Sequence, residues 1–279
     1  MRILSWNVQY GKSVHNGSDF IRTLDYIKSL GDFDAICLQE VARHMSDYCT
    51  QDQPDQYLLA QKYFSNYQAL WGSGFSWPST TMNPNDRQEF GNLTLIKSQL
   101  LDFKIHQLPQ PVAPGKWQMP RVAIEACVNS NLGPLSIINT HLAYHDSNEA
   151  QLQVEHLYAL EVERLGQIQS PKGQGPGCFQ TGHVPSARIL CGDFNFDPQG
   201  THYQYQVNSD WIDSWQHSLP NKAQPATCGI FDRDQWPQGG HCRDYFWLSH
   251  ELNTHSINVN VDQTTDLSDH QPIILEINF

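Results

Sequence analysis

The segment ILCGDFN, residues 189–195, is an apolar strand that ends in a carboxylate and an amide, and three other segments of the chain do the same. Side chains two apart on a strand share a face, so Ile189, Cys191, Asp193 and Asn195 stand together. The same alternation groups Ile36, Leu38 and Glu40 in DAICLQE, Leu135, Ile137, Asn139 and His141 in PLSIINTH, and Ile3, Ser5 and Asn7 in RILSWN. Two later segments reverse the order: Asp244 opens DYFWLSH, and Asp269 and His270 immediately precede PIILEINF. A fold that gathers all six polar ends must run the last two strands opposite to the first four. The sheets are then mixed or antiparallel, with the polar cluster at one rim.

The rest of the chain fits that frame. NLTLIKS, LDFKIHQL, RVAIEACV and SINVNV also read as strands, and the opening is a β-α-β unit in which the helix of GSDFIRTLDYIKSLG starts on Ser18 as the expected N-cap and stops at Gly31. Further helices are expected at about residues 54–64 and 146–166, the latter with Leu152, Leu157, Leu160 and Leu165 as its apolar stripe. Many strands, few helices and no strict alternation predict two sheets packed face to face with helices outside. With 39% hydrophobic residues and no boundary in composition, residues 1–279 are expected to form a single domain. The Gly-, Gln- and Pro-rich stretch 166–186 reads as a long loop.

The rim makes physical sense around a cation. Three or four crowded carboxylates repel one another and would otherwise take up protons near neutral pH. Oxygen donors without Cys or His at zinc spacing point to a hard ion, Mg²⁺ or Mn²⁺ before Zn²⁺, with Ca²⁺ also open. His141 and His270 beside it are suited to acid-base work or to phosphate contact. Net charge argues the same way from outside the site: 17 basic against 29 acidic side chains leave −12, so nothing draws nucleic acid or anionic membrane to the chain in general, and a polyanionic substrate needs a local device such as a bound cation. The strand-like N-terminus has no apolar run of signal-peptide or membrane-span length, so a cytoplasmic protein is expected. Seven irregularly spaced cysteines read as buried free thiols, with a Cys228–Cys242 disulfide left open.

WN at 6–7, LQE at 38–40, NTH at 139–141, GDFN at 192–195, RDYFW at 243–247 and SDH at 268–270 together resemble, in order and along nearly the whole chain, the motif set of the endonuclease/exonuclease/phosphatase superfamily. The resemblance implies a four-layer α/β/β/α sandwich and metal-assisted cleavage of a phosphoester. It implies metal-side roles for Asn7, Glu40 and Asp269, with Glu40 the most direct ligand. Asp193 and Asn195 match groups that position or activate water and hold the phosphate, His270 the catalytic histidine, Asp244 the acid that orients it, and His141 the other phosphate-facing histidine. Arg121 and Asn92 lie near strand positions where some members touch phosphate. Gln9 stands where abasic-site endonucleases usually carry an acid, and GGHCRDYFW lacks the Pro-x-Trp-Cys-Asp-Arg signature of the 5-phosphatases.

Taken one at a time, these residues have ordinary explanations: Asn7 ends a strand, Asp244 caps one, Asp197-Pro198 makes a turn. A purely structural account of the set must place several acids on core-facing positions with too few cations nearby to pair them. For Arg121, Asn92, Trp71, Trp77 and Trp117, surface or packing roles come first and a place on the substrate rim second. The function expected is a divalent-metal-dependent hydrolase of a phosphodiester, on nucleic acid or on a small or lipid phosphoester, with no obligate protein partner. The alternatives are a sphingomyelinase-like lipid or small-molecule phosphoesterase, a catalytically inactive binding protein on the same fold, and a structural Ca²⁺ sandwich. Substrate choice is expected in the loops near 41–56, 72–90, 109–119, 143–148 and 166–186.

Overall fold

The computed structural model describes residues 1–79, 83 and 85–279; residues 80–82 and 84, part of the 72–90 loop, lie outside the described residues. Among the described residues, eleven strands of five residues or more follow in chain order as β1 (Arg2–Asn7), β2 (Ala35–Arg43), β3 (Gln68–Ser73), β4 (Arg87–Ile96), β5 (Leu100–Gln107), β6 (Val122–Ser130), β7 (Gly133–His141), β8 (Ala187–Asp193), β9 (Asp244–Leu248), β10 (Ser256–Val261) and β11 (Ile273–Asn278). They form two mixed sheets, ordered β10-β11-β1-β2-β4-β3 and β9-β8-β7-β6-β5. At the centre of each is one parallel pair, β1 with β2 and β7 with β8, flanked by antiparallel partners. The parallel pairs carry their polar ends to one rim. β9 and β11, which begin there, run against β8 and β1.

Alternation within the strands builds three apolar layers. Ile3, Cys37, Ile137, Ile189, Phe246 and Leu275 fill the space between the sheets. Leu4, Trp6, Ile36, Leu38, Leu93 and Leu95 face the other way, against α1 (Phe20–Ser29) and α2 (Gln56–Tyr63). On the far side of the second sheet, Ile138, Leu190, Phe194, Tyr245 and Trp247 meet α3 (Ser147–Gln169) and α4 (Thr201–Asn208). The result is the α/β/β/α layering expected. No helix among the described residues is long and apolar enough to cross a membrane.

Local details depart from expectation. α1 is capped by Asp19 and not by Ser18: the Asp19 carboxylate accepts from the amides of Ile21 and Arg22, two of the donors that the first turn leaves open. α3 runs to Gln169, and its stripe keeps only part of the leucine series: Leu157 is buried and Leu160 packs on the same core, but Leu165 is exposed and Ala150 and Val154 complete the buried face. Beyond Leu157 the buried positions are Glu161 and Arg164, because there the helix covers a charged network instead of a core. Arg188 donates to Glu125 at 2.8 Å and lies 3.3 Å from Glu161, and Arg164 donates to both Glu161 and Glu251. Periodicity cannot tell a paired buried charge from a solvated one. α4 and the short α5 (Ser214–Ser218) carry too weak a pattern to be seen in sequence. All seven cysteines are free, Cys228 and Cys242 included.

Candidate active site

Asn7, His141 and Asp193 are the last residues of β1, β7 and β8, and register alone brings three groups together: His141 pairs with Asp193, and Asp193 pairs with Asp244 at the start of β9. Gly192 lets the strands close up; its φ is 141°, and a Cβ there would sit 1.8 Å from the Thr140 carbonyl oxygen. Asn139, on the same face as His141, stops short of the rim. Its amide spans the inter-sheet layer, donating to the carbonyls of Leu38 and Leu93 and accepting from Gln39 at 2.8 Å.

Glu40 reaches the site by a different route from the one alternation predicts. Ile36 and Leu38 face the outer helices, so simple period two would send Glu40 there as well. A break in register against β4 between Leu38 and Val41, with Glu40 in the left-handed region at φ 57°, turns its side chain into the cleft. Such bulges re-aim single side chains, and strain of this kind clusters at functional sites.

Asn7 Nδ2 donates to Glu40 Oε1 and to Asp193 Oδ2, both at 3.0 Å. The amide N–H of Asn195, itself at φ 54°, donates to Asp193 Oδ1 at 3.0 Å, and its side chain donates to the Leu142 carbonyl. Two imidazoles flank the same carboxylate, His141 Nε2 at 3.3 Å and His270 Nε2 at 3.6 Å from Asp193 Oδ2. The other nitrogen of His270 lies 2.9 Å from Asp244 Oδ2, which also accepts from the Thr227 hydroxyl at 2.6 Å. Trp6 fixes the backbone here by donating to the His270 carbonyl at 3.0 Å. Asp197 stands apart at the outer edge, half exposed and 3.2 Å from Arg243.

The two histidines are held in opposite states. Burial, reinforced by Arg121 and His270, keeps His141 well below the usual imidazole range, hence neutral at pH 7. Burial also opposes charge on His270, but the surrounding Asp244, Asp193 and Asp269 outweigh it and raise its pKa, hence an imidazolium. Burial and then the charge of Asp269 push Glu40 up to about 7, with Asn7 pulling the other way.

That upward shift is what a divalent cation would relieve, and the donor set is carboxylate and amide oxygen, suited to a hard ion. Asp193, Asp244 and His270 also bring ligand atoms within 4.8 Å of one another. Asp244 and His270 already satisfy each other, however, so a cation among those three would have to break a buried hydrogen bond. Glu40 and Asp269 line the cleft without such a pairing to a histidine, and Asn7 donates to Glu40.

Arg121 is buried in the cleft wall next to His141, and its Nε and Nη1 have no hydrogen-bond partner among the described residues. An unpaired buried guanidinium is costly unless an anion visits it. Asn92 is buried too, but its amide donates to the Val122 carbonyl at 3.0 Å, tying β4 to β6. Glu40, Arg121, His141, Asp193, Asn195, Asp269 and His270 line an open cleft of about 930 Å³.

The sequence matches the profile of the Endonuclease/Exonuclease/phosphatase family over residues 4–270. The chain belongs to that family. Its members are phosphoric ester hydrolases, generally dependent on divalent metal. No curated protein is similar enough in sequence to count as a match. Solved structures share the fold at low identity. An endonuclease/exonuclease/phosphatase from Beutenbergia cavernae is 16% identical with a TM-score of 0.71, over 100% of this chain and 71% of that one. A mannosyl-6-phosphatase from Bacteroides thetaiotaomicron is 17% identical with a TM-score of 0.65, over 100% of both chains. A 3′ phosphatase from Neisseria bound to a product DNA hairpin is 16% identical with a TM-score of 0.61, also over 100% of both. Identities this low carry the fold and not the substrate.

Family motifs do not reach the residues that hold Asp269. Gln235 Nε2 and Trp236 Nε1 both donate to its Oδ2, at 2.9 and 3.1 Å, and Gln9 Nε2 in turn donates to Gln235 Oε1 at 3.2 Å. They come from the irregular segment FDRDQWPQGG, where no periodicity marks them. Thr227, which holds Asp244, is equally silent in sequence.

Proposed function

We propose that the chain, acting as one unit over residues 1–279, hydrolyses a phosphodiester bond with the help of Mg²⁺ or Mn²⁺. The observation that carries this is the convergence of Glu40, Asp193, Asp269, the Asp244–His270 pair and the unpartnered Arg121 on one open cleft. Glu40 and Asp269, with Asn7, would hold the ion. When bound, such an ion supplies positive charge to the phosphoryl oxygens and to the developing charge of the leaving group.

The chain's own groups divide the remaining work. Asp193, fixed by donors on both of its oxygens, orients a water and takes its proton. His270, kept charged and in one tautomer by Asp244, donates to a phosphoryl oxygen as negative charge builds on it. Arg121 and the second Nδ2 hydrogen of Asn195 bind the remaining phosphoryl oxygens, and neutral His141 contributes a hydrogen bond without adding charge. Hydrolysis of bis-p-nitrophenyl phosphate in Mg²⁺, Mn²⁺ or EDTA tests the reading. Metal-dependent release of p-nitrophenol that disappears in EDTA and in His270→Ala supports it, and release that is indifferent to both overturns it.

A further inference from the structure

The cleft has an aromatic bank, made of Tyr10, Tyr48, Phe90, Trp117, Tyr144 and His145 from five separate stretches of chain. Tyr10, Tyr48 and Phe90 pack into one cluster, with centroids 4.7 Å apart for the two tyrosines and 5.2 Å for Tyr48 and Phe90. Tyr144 and His145 lie ring to ring at 3.6 Å, and Trp117 meets His145 edge-on at 6.4 Å. Asn195, Gln235, Trp236 and Arg243 line the cleft as well, and the Trp236 N–H is already given to Asp269.

Phe90 is buried beneath the two tyrosines, but the outer rings of the aromatic bank cover no core. Trp117 is 84% and Tyr144 62% exposed, and rings of this size left in water beside a reactive centre mark a contact surface. Tyr144 lines the same cleft as Glu40 and Arg121, so the bank shares one opening with the acidic rim. Its hydroxyls, the His145 ring and Gln118 make it amphipathic, which suits a planar heterocycle better than an alkyl chain.

Charge limits the length of the substrate. Among the described residues, the cations lining the cleft besides the His270 imidazolium are Lys12, Arg121 and Arg243, and Arg243 is engaged by Asp197 at 3.2 Å. Lys116 at the margin is likewise bonded to Asp146. One phosphate is provided for, but a row of them is not, and the chain as a whole carries −12.

We propose that the aromatic bank is a subsite for a nucleobase attached to the scissile phosphate, so that the enzyme acts on short nucleotidyl phosphodiesters and not on long duplex polymer or on lipid. The proposal rests on the phosphodiesterase reading above. Hydrolysis of thymidylyl-thymidine, glycerophosphocholine, sphingomyelin and supercoiled plasmid, followed chromatographically in Mg²⁺ or Mn²⁺ with bis-p-nitrophenyl phosphate alongside, tests both.

The dinucleotide should exceed the two choline esters in kcat/KM by about 10-fold or more, the scale of base stacking on aromatic side chains. The double variant Trp117→Ala, Tyr144→Ala should erase most of that preference through KM, and Trp117→Phe should keep it. Equal use of the choline esters, preference for plasmid, or an unchanged preference in the double variant overturns the subsite. Cleavage of bis-p-nitrophenyl phosphate but not of thymidylyl-thymidine overturns it while leaving the phosphodiesterase reading intact, and no cleavage of any ester overturns both.

Discussion

Glu40→Gln separates stability from activity, because Gln keeps the shape and the Oε1 acceptor for Asn7 while removing one charge from the cluster. In the metal-free protein, burial and Asp269 raise the Glu40 pKa from an ordinary 4.5 to about 7. The folded-state value lies above the unfolded one, so the cost is absent below about 4.5, grows with rising pH and is complete above about 7. Linkage puts it at about 3 kcal/mol at pH 8, of which about 2 kcal/mol develops between pH 5.5 and pH 8. At average unfolding entropies per residue, 2 kcal/mol corresponds to about 3–4 °C in Tm.

Calorimetry of both proteins in EDTA at pH 5.5 and pH 8 makes the comparison, and the difference between their pH responses cancels the other titrating groups. Apo Glu40→Gln should be the more stable protein at pH 8 and lose less Tm between the two pH values. Mg²⁺ at about 100 times its Kd should raise the wild-type Tm by the equivalent of about 2.7 kcal/mol, and by clearly less in the variant, whose turnover should also fall. A variant that is less stable than wild type at pH 8 in EDTA, or one that gains as much from Mg²⁺, would refute the idea that Glu40 is held for an ion and not for the fold.

Replacing His141 or His270 with Ala should lower turnover by about 10²-fold or more with the fold intact, checked by steady-state kinetics beside circular dichroism; full activity in both variants would remove the site assignment. Asp244→Asn takes away the carboxylate that keeps His270 charged, so the basic limb of the rate profile should move to lower pH, and a wild-type profile would make Asp244 structural. Away from the cleft, burial opposes the Glu125 charge, yet His106 and Arg188 hold its pKa down at about 2, so it contributes stability that is present above about 4.5 and lost as pH falls toward 2. Glu125→Gln, which leaves buried Arg188 with Glu161 as its one acid, should cost about 3 kcal/mol in urea unfolding at pH 7; a change under about 1 kcal/mol would refute that account.

The sequence by itself determined the two-sheet architecture and the rim. Alternation of apolar and polar positions is local, and the direction of each strand follows from whether its polar end comes first, as at Asp244, or last, as at Asp193. It also named the acids and histidines of the cleft, because too few cations accompany them to make them structural. Tertiary structure decided the rest. Glu40 enters the cleft only because β2 slips against β4, an event in the pairing of two strands that neither strand encodes alone. Arg121 is indistinguishable in sequence from a surface arginine, and only its surroundings leave Nε and Nη1 buried without partners among the described residues. Opposite charge states for His141 and His270 depend on which of them receives Asp244, a contact across 26 residues for His270. Gln235 and Trp236 meet Asp269 through a loop without period, and the aromatic bank is assembled from five stretches of chain. Local patterns specify faces and strand ends; convergence of distant side chains, and the electrostatics it creates, exists only once the sheets have packed.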